Sequence, residues 1–429
     1  MFLLIAPLIV VQAHAEIPGI TLQEAVEHAV TTPGVDAASA GSEAARASYN
    51  QVWPGRLPTV SASGNVIVYP DEETIDPFGT GQPIVLRDQV TSSLQAQVTV
   101  PITGQFAVDR RVAAARSGLD AALASEAAAR ADAELEAADA WFGALQIHAQ
   151  LRIAAAQAES LGERARVAEA ASSAGSLTRN DLLLVRIALA QAKQAVVQLQ
   201  GARDLSWARL GLATGSGGAP VQPQGEDSSP PRVAPEAEAL VKLALTTRPE
   251  LLSLRSNADA ARAWAAAASW ARLPAISGMG VYQHQTGQGL FGVPDTAYLG
   301  ATMSWNVWAW GQAAAGVKAA SSQADQLDDQ VRALEGGVRL DILARLQALT
   351  SAASAWSMGA DTVEHATENL AIQERRHETG NATMQEVLDA SLTLVRAQST
   401  RASALFDARR AEAALKHAVG ADPWRRTLP

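Results

Sequence analysis

The chain contains no cysteine. Disulfides, thiolate metal centres, cysteine catalysis and a lipidated N-terminal cysteine are therefore all excluded. Aromatics are scarce at 5%, with 6 Phe and 4 Tyr, although 48% of the 429 residues are hydrophobic. Alanine supplies much of that apolar fraction, and it favours helices that approach closely. Little bulk is left for one large globular core, and the Val/Ile runs of a parallel α/β enzyme are missing. Bases are outnumbered, 34 Lys+Arg against 44 Asp+Glu, for a formal charge of −10. No basic stripe interrupts that excess, so nucleic acid is not an expected partner. HExxH, GxSxG, P-loop and zinc-ligand patterns are absent and the 7 histidines are dispersed. No catalytic residue, cofactor or metal is expected. Proline is missing from 106–172 and from 312–378. At about 1.5 Å per residue each stretch makes a helix of roughly 100 Å. That length fits coiled-coil packing between neighbours better than a globular domain.

What is present occurs twice. GSLTRNDLLLVRIALAQAK from Gly175 aligns without a gap on GNATMQEVLDASLTLVRAQ from Gly380, an offset of 205 (380−175) that also relates Gly215 to Gly420. Thr178 falls on Thr383, Asp181 on Glu386 and Leu210 on Leu415. Each copy reads as a glycine turn, a capping threonine, an acid three positions later, and an amphipathic helix. Upstream, Pro33 and Leu57-Pro58 recur as Pro249 and Leu273-Pro274, offset by 216 (249−33). An internal doubling follows, with repeats at 16–215 and 236–429 and a linker at 216–235. Each repeat is expected to hold helices, a β hairpin (58–102 and 274–308), a long helix (106–172 and 312–378), a tip turn (175 and 380) and a return helix. In the return helices Leu183, Ile187 and Ala190, and likewise Leu388, Leu392 and Val395, form an apolar seam.

Phe2 to Val11 is an apolar run of signal-peptide length and Ala13-His14-Ala15 an A-x-A cleavage site, although the usual basic n-region is lacking. Residues 1–15 are expected to be removed, leaving a mature chain with no lipid anchor. No later stretch resembles a transmembrane helix. Four segments, at about 58–69, 91–102, 274–284 and 297–308, alternate with period two. Leu94, Ala96, Val98, Val100 and Ile102 take one face of the second, and Ser93, Gln95, Gln97 and Thr99 the other. The length and the apolar-out, polar-in pattern are those of tilted membrane strands. Trp53, Trp270, Trp305, Trp308 and Trp310 cluster where strands meet helices, as an interfacial aromatic girdle would. Loops of about 20 and 12 residues join the paired strands. The second carries GQGLFG, from Gly287 to Gly292, which matches a dinucleotide fingerprint only formally because it opens no helix. Asn381-Ala382-Thr383 is a formal glycosylation sequon.

Four strands cannot close, and an open edge in lipid leaves backbone groups unsatisfied at several kcal/mol each. Closing a membrane barrel takes about eight strands or more, so a spanning chain must oligomerise. The G-x-x-T-x-x-E-V-L-D-A block from Gly380 to Ala390, its partner from Gly175 to Leu183, the RPEL of Arg248 to Leu251 and the LP before each hairpin resemble one family. It is that of the TolC-like outer-membrane channel proteins of Gram-negative bacteria, and the likeness covers essentially the whole mature chain. The resemblance implies a mainly α chain with a membrane β-barrel portion, and a homotrimer sharing one twelve-stranded barrel. Long antiparallel coiled-coil helices would form a periplasmic α-barrel tunnel docked to an adaptor (membrane fusion) protein and an inner-membrane transporter. The protein would be a passive export conduit in contact with outer-membrane lipid.

The resemblance also implies roles for residues at the tips. Gly175, Leu177, Thr178, Gly380, Ala382 and Thr383 would meet the adaptor. Glu386 and Asp389, three apart on one helix face, match acidic residues that ring the narrow end of the pore. His377 and Ala382 stand where a tyrosine and an arginine can lock the closed state, and their acidic partner, Asp181, is retained. The expected lock is therefore a His377–Asp181 pair. Two other classes remain open at this point: a soluble periplasmic coiled-coil adaptor without a barrel, and a helical hydrolase. The first does not account for the strands and tryptophans, and no catalytic constellation speaks for the second. Cargo is not legible: drugs, metal cations and secreted proteins all pass through this family.

Overall fold

The structure is a computed structural model that describes residues 17–77, 79, 81, 83–225, 236–270, 272–290 and 292–420. The signal segment 1–15 and most of the second half of the linker, 226–235, lie outside the described residues. In chain order the elements are β1 (Gly19–Ile20), α1 (Leu22–Ala29), α2 (Pro33–Val52), β2 (Thr59–Val68), β3 (Glu73–Ile75), β4 (Ile84–Arg87), β5 (Val90–Pro101), α3 (Gly104–Ser173), α4 (Arg179–Ala213) and β6 (Gln222–Pro223). There follow α5 (Ala237–Thr247), α6 (Pro249–Trp270), β7 (Ala275–Thr286), β8 (Asp295–Ser304), α7 (Gln312–Glu378) and α8 (Met384–Val419). The two proline-free stretches are unbroken helices of 70 and 67 residues. Pro33 and Pro249 each open a helix, where a missing N–H costs nothing. The fourth strand ends at Ser304, so Trp305 and Val307, placed on it by alternation, lie beyond it. The linker is not all linker: Gln222–Pro223 pairs in parallel with Gly19–Ile20.

Two compact units emerge. One is drawn from Met1–Ala38, Glu126–Pro249 and Glu335–Pro429, the other from Ser39–Ser125 and Glu250–Leu334. Each takes chain from both sequence repeats, so the units cut across the repeats. In the first, Ile20, Ala25, Trp141, Phe142, Leu210 and Phe406 form a buried core. The Trp141 indole N–H donates to the Ile20 carbonyl at 3.1 Å. Leu210 and its repeat partner Leu415 are both fully buried. Gly420 is left-handed (φ 77), and a Cβ there would lie 2.4 Å from the Arg248 Cα. Arg248 and Arg345 both grip Asp341, at 2.9 and 2.8 Å. Burial raises the Asp341 pKa, but those two hydrogen bonds outweigh it and hold the carboxyl below its ordinary value.

The second unit holds a four-stranded antiparallel sheet in the order β2-β5-β7-β8. Phe106 of α3 stacks on Trp270 of α6 with ring centroids 5.0 Å apart. The guanidinium of Arg262 ties Asp259 on its own helix to Asp328 on α7.

Candidate functional site

The register of the sheet sorts its residues into two faces. Opposed residues share a face, so Val60, Val98, Gly280 and Leu299 form one row, and Ala62, Ala96, Tyr282 and Ala297 the next. On the other face run Ser61, Gln97, Val281 and Tyr298, then Ser63, Gln95, Gln283 and Thr296. Along β5 the apolar members are the open ones, with Leu94 58% and Val98 40% exposed, while Gln95, Gln97 and Thr99 are half-buried. The apolar side thus faces outward and the polar side is the sheltered one. Among the described residues both edge strands, β2 and β8, end the sheet without a further neighbour.

The loops at one end of the sheet pack on each other. The long loop contains a hairpin of its own, β3 with β4, and the glycine-rich loop lies against it. Leu290 N–H donates to the Val85 carbonyl at 3.2 Å, and Asp88 N–H to that of Gly287 at 2.9 Å. A Cβ at Gly287 or Gly289 would fall 2.3 Å from the carbonyl oxygens of Val90 or Val85. Those glycines serve a close backbone approach; Phe291 between them and Gly292 lies outside the described residues. At the other end Trp53, Trp305, Trp308 and Trp310 are exposed. Trp270 is half-buried against Phe106, and the Trp305 indole donates to the Arg272 carbonyl at 3.1 Å.

The two tip turns are copies of one motif. Gly175 and Gly380 have φ of 78 and 73. Gly175 N–H reaches the Ser172 carbonyl and Ser176 N–H that of Ala171; Gly380 and Asn381 repeat this with His377 and Arg376. This is the Schellman pattern, in which a left-handed residue satisfies the last carbonyls of a helix. Thr178 and Thr383 then cap the return helices through their hydroxyls. Glu386 completes a capping box: its carboxylate accepts from the Thr383 N–H at 2.6 Å and hydroxyl at 2.9 Å. That backbone bond first, then the hydroxyl, keeps the Glu386 carboxyl below its ordinary pKa. Asp181, shorter by one methylene, bonds the Thr178 hydroxyl at 2.6 Å.

The other candidate residues at the tips are placed as follows. Asp389 is exposed and accepts from Gln385 at 3.1 Å. His377 Nδ1 lies 2.9 Å from the Ala382 carbonyl, so the structure gives His377 and Asp181 separate partners. Leu177 is half-buried against Ala165, Ala168 and Val185, a cluster that also takes Met384 and Leu388 from the second tip. The sequence treated Leu177 as a free docking contact and missed this packing. Above the tips the expected seam opens as a groove of about 410 Å³, with Ile187 and Ala188 of α4 facing Leu388 and Leu392 of α8. One further expectation needs correction. Helix α4 contains an 18-residue window with mean hydropathy 1.4, apolar enough to cross a membrane, of which 6% is buried. Ile187, Val197, Leu205 and Leu212 are all more than half exposed on it.

The sequence profile described as outer membrane efflux protein matches residues 27–216 and 240–421. The chain belongs to the outer membrane efflux protein family. Solved channels of this kind share its fold. The outer membrane protein VceC of Vibrio cholerae superposes with a TM-score of 0.79 at 18% identity, over 93% of this chain and 96% of VceC. The CmeC outer membrane channel of Campylobacter jejuni gives 0.80 at 15% identity, over 93% and 85%. The open state of the MtrE outer membrane channel of Neisseria gonorrhoeae gives 0.75 at 18% identity, over 95% and 91%. No curated protein matches the sequence significantly. This outer membrane efflux protein is therefore a TolC-like channel subunit, mostly helical, with its long strands gathered in a single sheet.

Proposed function

We propose that three copies of this chain close one twelve-stranded barrel in the outer membrane and continue it as a helical tunnel into the periplasm. The single observation that carries this is the sheet itself: apolar outside, polar inside, with both edges unpaired. In lipid such edges must be satisfied by neighbouring copies. Met303 and Asp295 share the outward face eight positions apart (303−295), about 27 Å of strand at about 3.4 Å per residue. Tilted by about 40°, that covers roughly 21 Å, close to the apolar band of about 25 Å on membrane barrels. The exposed tryptophans then sit at the inner interface. The bare apolar face of α4 supports helix packing against other copies, and the matching element order of the two halves supports one ancient doubling. A soluble adaptor has no use for an apolar outward sheet.

Export through this channel then takes its energy from an inner-membrane transporter coupled by a periplasmic adaptor that meets the tips at Gly175 and Gly380. Asp389, with Glu386 behind it, lines the narrow opening, and Asp181 and His377 lock it. Because the chain lacks cysteine, cysteines introduced in pairs along β2 and β8 report only intended crosslinks. Trimer-sized crosslinked species in outer membranes are expected. A detergent-free soluble monomer, with no crosslink at any pair, overturns the assembly.

A further inference from the structure

The sheltered face of the sheet carries no charge. The four strands together hold one carboxylate, Asp295, and one imidazole, His284. The register places both on the outward face, in the row of Leu94. Their charge-bearing atoms also meet each other there, His284 Nδ1 to Asp295 Oδ1 at 2.9 Å. Inside, neutral side chains remain: hydroxyls and amides, partly engaged with one another, beside the apolar Val281 and Met279. Gln95 Nε2 donates to Gln97 Oε1 at 3.3 Å, and Gln97 Nε2 to Thr99 Oγ1 at 3.1 Å.

Pores select ions through rings of charged side chains or tight carbonyl cages. A lining of neutral amides and hydroxyls sets up no net field that attracts one sign and repels the other. From this geometry we infer that the strand-lined barrel lumen is indifferent to the charge of the cargo. Cations, anions and zwitterions leave through it alike, and charge selection belongs to the acidic helical portion below. This rests on the proposed trimeric barrel, in which Gln97 contributes three neutral amides to one level of the lumen.

The test is the reversal potential of purified full-length channel in a planar bilayer under a salt gradient. The background carries Glu386→Gln and Asp389→Asn to remove the tip carboxylates. Gln97→Glu and Gln97→Lys each add three like charges, enough for a potential of about one kT and roughly a sevenfold change in the cation-to-anion permeability ratio. A neutral lumen responds symmetrically, so the two variants are expected to displace the reversal potential by similar amounts in opposite directions. Gln283→Glu and Gln283→Lys, on the same face of the adjoining strand, repeat the comparison if a variant at 97 fails to assemble. Displacement by one sign only, or by neither at both positions, overturns the inference. Absence of any conductance from the parent channel instead overturns the channel reading on which it rests.

Discussion

His377 Nδ1 lies 2.9 Å from the Ala382 carbonyl, so the imidazole bridges from the last turn of α7 across Gly380 to the residue before the helix cap. A carbonyl only accepts, which assigns the proton in this contact to Nδ1. A neutral ring then offers Asp181 an acceptor nitrogen, which a carboxylate cannot use. Only the imidazolium donates from both nitrogens and joins the turn contact to the proposed lock. The proposed lock therefore requires a ring that donates from both nitrogens.

His377→Ala should raise open probability in single-channel recordings. His377→Gln retains a donor for Ala382 but no charge toward Asp181, and should raise it too while keeping the turn. Open probability unchanged in both variants removes His377 from the lock.

The Thr383–Glu386 box makes a second prediction. Thr383→Ala should destabilise the tip by about 1 kcal/mol, seen as faster amide exchange around Gly380. The folded Glu386 pKa lies below its ordinary 4.5. Its contribution is thus fully present above 4.5 and is lost as pH falls through the lower folded value. Exchange in Glu386→Ala that stays as slow as wild type at pH 7 would show the cap to be idle.

Asp181 is one methylene too short for the reciprocal bond that Glu386 makes. Asp181→Glu should complete the first box and stabilise that tip by roughly 0.5 kcal/mol. No gain in protection near Thr178 would refute the length argument.

At Gly175 a Cβ would meet nothing within 4 Å, but φ is 78. Strain, not crowding, then sets the cost of substitution. Gly175→Asn should be tolerated and Gly175→Val should cost about 1–2 kcal/mol, measured by thermal unfolding of the tip. Equal effects from both would contradict this.

On the sheet, Val98 faces outward and Gln97 inward. Val98→Lys should lose roughly 2–4 kcal/mol of membrane stability, against little for Gln97→Lys. Equal assembly of the two in outer membranes would reverse the assignment of faces.

The sequence by itself determined the elements and their order. Proline-free alanine-rich stretches had no means of breaking, period-two alternation marked the strands to within a few residues, and glycine with threonine marked both turns. These are local signals, written in backbone propensity and side-chain spacing. Tertiary structure decided which of those residues were already spoken for. It packed Leu177 against Ala165, Ala168 and Val185, and it let Glu386 reach the Thr383 backbone as well as its hydroxyl while Asp181 reaches the Thr178 hydroxyl. The pairing of β5 with β7, residues about 180 positions apart, likewise put His284 and Asp295 on the outer row and left the inner one neutral. No local pattern encodes such partners, because strand pairing and packing depend on what distant chain segments present to each other.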